Sequence, residues 1–240
     1  MLGWADGPLV GFDLETTGLD RERDEPVSYA FVEFAHGEQV GVEEGFLVPR
    51  RAISRGATTV HGLTEASLAA LGAAPVHDGV ARVAERLRAL SAEGVPVVGC
   101  NLAYDLTIVD RALSRLAPPT SLRRCWAGPA LDVLVLDRGL DTDFATRPVR
   151  RLEALCAHYG VTPPTHTAVG DAVAAVQVLL AQATRFPRLG LMTLPSLQRR
   201  QAEWHELWCD EASARRRAEG REVLVADDHA WPYVERLTLF

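Results

Sequence analysis

The sequence predicts an α/β fold, in which a mixed β-sheet carries helices packed on its faces. Three strand-like segments follow one another within the first fifty residues, and after them short apolar segments alternate with helical ones. The length of 240 residues suits one large domain, or a domain with an appendage. A chain of this size can bury a substantial hydrophobic core without disulfides.

The first three strands are expected at residues 8–14, 27–34 and 39–48. The acidic turn DRERDEP and the turn HGE join them, so an antiparallel meander is predicted. Two helices follow the meander. Thr64 is placed to cap the helix TEASLAAL, and Asp78 to cap DGVARVAERLRALSAEG, which ends at Gly94.

In the second half, VPVVGCN is predicted to be a short buried strand and YDLTIVDRALSRL a helix. The apolar segment ALDVLVLDRGL is expected to be buried, but its pattern leaves strand and helix open. The helices VRRLEALCAHYG and GDAVAAVQVLLAQATRF complete a main domain at residues 1–186. Residues 187–240 are expected to form an appendage, with the helix SLQRRQAEWHELWCDEASARRRAEG before a small hairpin.

The helix of the appendage has an apolar stripe at spacings close to one helical face: Leu197, Trp204, Leu207, Trp208 and Ala212. Packing of this stripe on the main domain is favoured over docking of a protein partner such as a polymerase. The arginines beside the stripe are accompanied by acids, so a solvated face is favoured over a nucleic-acid contact.

The composition narrows the possible classes of function. The net charge of −7 argues against binding of nucleic acid through an extended basic face, so any such contact must be local. The four cysteines form no C-x-x-C pair, which argues against a zinc knuckle or a disulfide framework. Without a leader or an apolar run of about 18 residues, the chain is expected to be cytoplasmic and not to contact a membrane.

The stretch VGFDLETTGLD places two acids at the end of an apolar strand. Side chains alternate along a strand, so Asp13 and Glu15 project to the same side. They share a proton or a cation, unless the strand end is solvated. Two further acids, Asp105 and Asp171, are expected near the starts of helices. Four carboxylates that converge on one site would repel one another without cations, so they predict a site for two Mg²⁺ or Mn²⁺ ions. His166 is expected on the loop before the last helix, as a general base.

Three segments, FDLETTGL, VGCNLAYD and HTAVGDA, together resemble the motifs of the DEDDh (DnaQ-like) 3′-to-5′ exonuclease family. VHGLT resembles a further element of that family, and the similarity runs from about residue 8 to 186. The resemblance implies a ribonuclease H-like fold with a five-stranded mixed sheet. Thr167 occupies the place where a sister subclass has Tyr, so the histidine subclass is indicated.

The resemblance also assigns roles to individual residues. The metal ligands would be Asp13, Glu15, Asp105 and Asp171, with Asp105 acting partly through a water, and His166 would be the base. The loop that would hold the 3′-terminal nucleotide consists of Thr16, Thr17, Gly18 and Leu19, and His61 and Asn101 would occupy secondary positions near the substrate. For His61, a role as a turn-forming residue remains open. Cys100 departs from the family, which commonly has His before the Asn. Asp132 and Asp137 are interpreted as turn or surface acids.

These expectations predict hydrolysis of single-stranded or frayed 3′ ends, with DNA favoured over RNA, and release of nucleoside monophosphates. The alternatives are a catalytically silent binding module, a polymerase-associated proofreading subunit and an RNA exonuclease of the RNase T type. The oligomeric state is not predicted.

Overall fold

The computed structural model describes residues 3–116, 121–122, 128–141, 150–224 and 226–232. Within them the sheet has six strands in the order β4-β3-β2-β1-β5-β6. The strands are β1 Leu9–Thr16, β2 Pro26–Ala35, β3 Glu38–Val48, β4 Ala74–Pro75, β5 Val97–Gly99 and β6 Ala130–Asp132. The predicted mixed α/β fold is therefore confirmed.

The first three strands form the predicted antiparallel meander, with Phe12 opposite Phe31 and Val32 opposite Val42. The strands β5 and β6 continue the sheet in parallel beyond β1. The prediction of five strands was wrong by one, because β4 adds a parallel pairing beside β3 at the opposite edge. Its two residues are too few to produce a strand pattern in the sequence.

The helices lie on both faces of the sheet. They are α1 Arg55–His61, α2 Glu65–Ala70, α3 Val76–Glu93, α4 Leu102–Leu116, α5 Val133–Leu140, α6 Leu152–Tyr159, α7 Ala168–Arg185, α8 Pro187–Gly190 and α9 Leu194–Ala218. The segment whose state the sequence left open contains both structures, because β6 runs directly into α5. Thr64 caps α2 and Gly94 ends α3, as predicted.

The predicted cap of α3 was wrong. The helix begins at Val76 after Pro75, which provides no side-chain cap, and Asp78 lies in the first turn. A carboxylate there still interacts favourably with the helix dipole, and it also pairs with His77 (3.1 Å from Nε2 to Oδ1). The acidic residue is therefore favourable at this end of the helix without being its cap.

Alternation along β1 divides the hydrophobic core into two clusters. Val10, Phe12 and Leu14 face the cluster that includes α3 and α4, and Leu9 faces the cluster that includes α5, α6 and α7. Because the period of a strand is two, Asp13 and Glu15 lie on the face of Leu9, toward α7. The position of the two acids thus follows from the same alternation that fills the core.

Helix α9 covers the outer edge of β6. Gln201 accepts a hydrogen bond from the backbone N–H of Asp132 (2.8 Å) and donates one to the carbonyl of Ala130 (2.9 Å). Gln198 accepts from the N–H of Ala130 (2.9 Å). These side chains form hydrogen bonds with backbone groups that an edge strand would otherwise leave without partners.

The buried side of α9 differs from the predicted stripe. Its buried residues are Leu197, Gln201, His205, Cys209 and Ala212. Leu207 was predicted to belong to the stripe but is 60% exposed. Since successive residues of a helix are about 100° apart, Leu207 points away from the face centred on Gln201 and His205. These two residues are polar, so a search for an apolar stripe does not detect that face.

The predicted C-terminal hairpin falls partly outside the described residues. In the described part, Ala226–His229 forms a 3-10 helix rather than a strand. None of the described helices combines the length and the hydropathy that crossing a bilayer requires.

Candidate active site

Three of the predicted acids converge at the carboxyl end of β1. Asp13 and Glu15 project from the strand, and Asp171 lies in the first turn of α7. Each offers a carboxylate oxygen, and these oxygens all lie within 4.8 Å of one another. The segments that supply them are more than 150 residues apart in the sequence, so the fold itself creates this cluster.

Asp105 approaches the cluster from the other side of the sheet. It lies in the first turn of α4 and is 5% exposed. Burial raises its pKa well above the usual range, and the charges of Asp132 and Glu15 raise it further. The carboxyl of Asp105 is outside the group of three, but its charge is the largest electrostatic influence on Asp13.

The acids of the cluster cannot all be ionised without a counter-charge. Burial raises the pKa of Asp13 well above its usual range, and the charges of Asp105, Asp171 and Glu15 add to that rise. Burial and then the charge of Asp171 raise the pKa of Glu15 to about 8. Hard carboxylate oxygens at this density are the donor set that Mg²⁺ and Mn²⁺ prefer. The residues present therefore fit a divalent-cation site.

His166 lies on the loop before α7, with its backbone in the left-handed region (φ 55°). Its backbone N–H donates to Oδ1 of Asp171 (2.9 Å), so the loop is joined directly to the cluster. The imidazole is 44% exposed and is not part of the group of three carboxylates. Its Nε2 lies 3.8 Å from Oε1 of Glu153.

Glu153 was not predicted to belong to the site. It lies in the first turn of α6, and its charge contributes to the raised pKa of Asp171, for which burial is the largest cause. No spacing in the sequence relates it to the metal-site motifs. Its position results from the packing of α6 against α7, which a single sequence does not show.

The loop after Glu15 is held by side-chain hydrogen bonds to its backbone. Thr16 Oγ1 and the hydroxyl of Tyr104 both donate to the carbonyl of Gly18, at 2.8 and 2.6 Å. Thr17 Oγ1 donates to Asp24 (2.6 Å). The next residue, Leu19, is 88% exposed and projects from this fixed loop.

A cavity of about 300 Å³ adjoins the acids and this loop, and we call it the end cavity. Its lining residues come from β1, the following loop and the region of α1: Glu15, Thr16, Gly18, Leu19, Ser54, Gly56, Ala57, Val60 and His61. Its walls combine apolar side chains with a few polar groups, as ligand sites commonly do. Four of the six predicted substrate residues line it, and Thr17 and Asn101 do not.

His61 forms a turn, which is one of the two roles that the sequence left open. Its Nδ1 accepts the backbone N–H of Leu63 (3.0 Å), which stabilises the turn, and its ring also lines the end cavity. With Nδ1 accepting, Nε2 carries the proton and points to the carbonyl of Thr16 (3.3 Å). Burial lowers the pKa of this imidazole, although the hydrogen bond to Thr16 opposes the shift.

The interpretation of Asp132 as a surface acid was wrong. It is 1% exposed, and its carboxylate accepts the backbone N–H groups of Asn101 (3.0 Å) and Leu102 (2.8 Å). The same carboxylate caps α5. Asn101 is exposed and has a left-handed backbone (φ 64°), and this contact holds its backbone at the start of α4. Asp132 therefore positions the second motif.

Asp137 was also wrongly interpreted as a turn or surface acid. It is fully buried and is neutralised by Arg150 (3.1 Å from Oδ2 to Nη1), and it accepts the hydroxyl of Tyr159 (2.7 Å). Asp141 and His158 lie near it, but the arginine makes this group an ion-pair network rather than a second cation site. Because Arg150 and Tyr159 are more than ten residues away from Asp137 in the chain, the local sequence did not indicate that this acid is buried.

Cys100, the departure in the second motif, lies just before Asn101 at the end of β5. Burial raises the pKa of its thiol well above the usual range, and the charges of Asp132 and Asp13 contribute to the rise. The thiol therefore stays protonated. It adds no further negative charge to a site that already contains four acids.

Comparison with known proteins gives a consistent result. A family model described as RNase_T, exonuclease, matches residues 10–179. The chain is 32% identical over 191 residues to a DNA polymerase III subunit epsilon-like protein of Rhodobacter capsulatus, covering 77% of this chain and 25% of that protein. It is 26% identical over 190 residues to the PolC-type DNA polymerase III of Staphylococcus aureus, covering 78% and 12%.

Among solved structures, Exonuclease I of Methylocaldum szegediense superposes with a TM-score of 0.64 at 24% identity, over 84% of this chain and 46% of that one. Exonuclease I of E. coli in complex with a dA16 oligonucleotide gives 0.62 at 20% identity, over 76% and 42%. These likenesses show the shared fold. The chain spans a quarter or less of the length of the curated relatives it matches.

Proposed function

The chain belongs to the exonuclease family, and we propose that it is a metal-dependent 3′-to-5′ exonuclease acting on single-stranded or frayed ends. DNA is the favoured substrate, and nucleoside monophosphates are the products. The observation that carries this proposal is the convergence of Asp13, Glu15 and Asp171 beside the end cavity. Such a cluster supports phosphodiester hydrolysis, and the cavity supports a terminal nucleotide as the substrate group.

The four acids are the proposed holders of two Mg²⁺ or Mn²⁺ ions: Asp13, Glu15, Asp105 and Asp171. When bound, the ions would neutralise the carboxylates and stabilise charge on the scissile phosphate. The raised pKa values of the acids support this assignment, because a buried group of like charges is stable when a cation compensates it.

His166 is the proposed general base. Its imidazole accepts a proton from the attacking water, and the backbone bond to Asp171 keeps the loop next to the cluster. The 3.8 Å separation from Glu153 suits a carboxylate that orients the ring. The loop of Thr16, Thr17, Gly18 and Leu19 holds the terminal nucleotide, with Leu19 against the base. Asn101 and His61 complete its surroundings, and base selectivity is expected to be low.

Degradation assays test the proposal. Matched 3′-labelled DNA and RNA strands are incubated with Mg²⁺ or Mn²⁺ and the wild-type chain, Asp13→Asn or His166→Ala. Asp13→Asn is expected to lose activity and Mn²⁺ uptake in calorimetry. His166→Ala is expected to lose activity but to retain Mn²⁺. The control Glu38→Gln removes an exposed carboxylate from β3 and should match the wild type. A folded wild-type chain that takes up Mn²⁺ and degrades neither strand would be the silent module.

Association with a DNA polymerase is a second proposed property, because the two curated relatives reported above are named as DNA polymerase III proteins. We propose residues 1–186 as the exonuclease domain and 187–240 as an appendage that packs on it. Trp204 and Trp208 are occupied internally, since Trp204 lies against Gly139 and Arg138 stacks over Trp208 (3.6 Å). The exposed Leu207 side of α9 is therefore the proposed contact with a polymerase.

Loss of a copurifying polymerase on Leu207→Asp, with an unchanged melting temperature, would support that contact. Retention of the polymerase would contradict it. The cytoplasm is the proposed compartment, because the described cysteines, Cys100, Cys156 and Cys209, are free thiols.

A further inference from the structure

A groove leads from the end cavity to a group of arginines. The end cavity shares Gly18, Leu19 and Ser54 with a second depression, of about 680 Å³, whose lining includes Arg51. Arg51 also lines a third depression, together with Arg23, Arg50 and Arg115. Because neighbouring depressions have lining residues in common, the three lie next to one another in a row that starts beside the metal-site acids.

The acids along this row have partners within the protein. Asp24 accepts the hydroxyl of Thr17 (2.6 Å) and the backbone N–H of Asp20 (2.7 Å). Glu25 is 2% exposed and pairs with Arg50 (3.1 Å from Oε1 to Nη2). These contacts hold the carboxylates in place and limit the negative charge that they present to the groove.

Arg51 differs from its neighbour Arg50. It is exposed, and no carboxylate of the described chain lies within 4.0 Å of its guanidinium. In a chain with a net charge of −7, a cation without a carboxylate at its guanidinium, between the second and third depressions, is a local feature rather than part of a basic surface. It is therefore available to an anionic ligand that enters the groove.

We propose that Arg51 binds a backbone phosphate of the single strand whose 3′ end occupies the end cavity. A guanidinium matches the oxygens of a phosphate, with which it forms charge-assisted hydrogen bonds. The second and third depressions have no aromatic residue in their described lining, so contact is made to the backbone rather than by base stacking. This inference rests on the proposed exonuclease function, and it identifies the phosphate backbone as the part of the substrate that this surface binds.

Binding of a fluorescent single strand of about ten nucleotides tests the proposal, since single-strand sites span about 4 to 16 nucleotides. Anisotropy is measured as a function of salt for Arg51→Gln and for the matched control Arg188→Gln. Arg188 is also exposed and lies beyond the far end of α7, about 20 Å or more from Asp171 at 1.5 Å per residue. All chains carry Asp13→Ala, so the strand is not degraded.

Arg51→Gln is expected to weaken binding about three- to fivefold at low salt, as for an exposed ion pair. It should also reduce the slope of log K against log salt by about 0.7, the value for one phosphate of a single strand. The loss of affinity should be equal for DNA and RNA strands, because both have the same backbone phosphates. Arg188→Gln should change neither quantity.

A slope unchanged by Arg51→Gln would overturn the proposal and leave this surface to a protein partner. An equal loss of affinity with Arg188→Gln would also overturn the proposal, because weaker binding would then result from the lower total positive charge and not from a contact made by Arg51. The outcome is separate from that of the proposed function. A chain that degrades strands but keeps its salt slope loses only this inference, and one that binds through Arg51 without degrading strands loses only the activity.

Discussion

Gly11 of β1 lies directly against the carbonyl oxygen of Ala172 in α7: a Cβ atom at residue 11 would be only 2.6 Å from that oxygen. The absence of a side chain lets the helix approach the strand. Ala172 follows Asp171, and Asp13 lies two residues beyond Gly11 on the same face of the strand. The contact between Gly11 and Ala172 therefore sets how closely the two acids approach each other.

Replacement of Gly11 by Ala should separate strand and helix, because the obstruction is backbone and cannot rotate away. We expect a loss of about 1–3 kcal/mol in the free energy of unfolding, typical of overpacking, and weaker Mn²⁺ uptake. Denaturant unfolding and calorimetry measure the two effects. Gly56→Ala is the stability control, since its Cβ would meet only Ser54 Oγ at 4.0 Å. Equal stability of both variants would refute the role of Gly11.

The raised pKa values predict how stability depends on pH when no divalent cation is present. Burial and the charge of Asp171 raise the pKa of Glu15 to about 8, from an ordinary value of 4.5. Between these values the folded chain holds a proton that the unfolded chain has released. The free energy of unfolding therefore falls as pH rises through this window, by at most about 1.4 kcal/mol per pH unit for one proton.

In EDTA, the melting temperature of the wild type should fall between pH 5 and 8 by more than that of Glu15→Gln, which lacks the titrating group. Mn²⁺ should reverse the trend, because it binds the ionised carboxylates. The measurement is a series of thermal melts across pH, with Glu38→Gln as the exposed-carboxylate control. Parallel curves for the wild type and Glu15→Gln would contradict the prediction.

Tyr104 lies at the start of α4, and its hydroxyl donates to the carbonyl of Gly18 (2.6 Å). Tyr104→Phe should loosen this loop and raise KM for single-stranded ends several-fold, with little change in kcat. The stability cost should be about 0.5–1.5 kcal/mol, the usual contribution of one hydrogen bond. Tyr159→Phe is the control, because it removes a comparable bond to Asp137 outside the site. A lower kcat with unchanged KM would argue against this role.

The sequence predicted the parts of the fold that depend on local pattern. Strand-like segments joined by turn residues identified β1 to β3, the spacing of apolar residues identified α3, and an Ala- and Val-rich segment identified α7. The four acids were recognisable because each interrupts an apolar segment or begins a helix. Asp132, Asp137 and Glu153 were not, because their burial or position depends on partners distant in the chain. A polar residue whose partner is a backbone group or a remote arginine has no periodic signature.

Gln201 is the clearest example of such a residue, and it provides the final prediction. It bonds to the backbone of both Ala130 and Asp132, so its removal leaves two backbone groups on the edge of β6 without these partners. Gln201→Met keeps the approximate size of the side chain but not its polarity. Each buried group without a partner costs about 1–3 kcal/mol, so a loss of about 2–6 kcal/mol in unfolding free energy is expected for the two groups.

Because Gln201→Met removes two of the three side-chain bonds to the edge of β6 that are described above, this variant should also aggregate more readily on warming. Denaturant unfolding and light scattering measure these effects, with Leu207→Ala, on the exposed side of the same helix, as the control. If the two variants unfold alike, the glutamine is not what joins α9 to the sheet. If only Gln201→Met is destabilised, α9 is an integral layer of the fold, and its polar contacts hold the last strand in place.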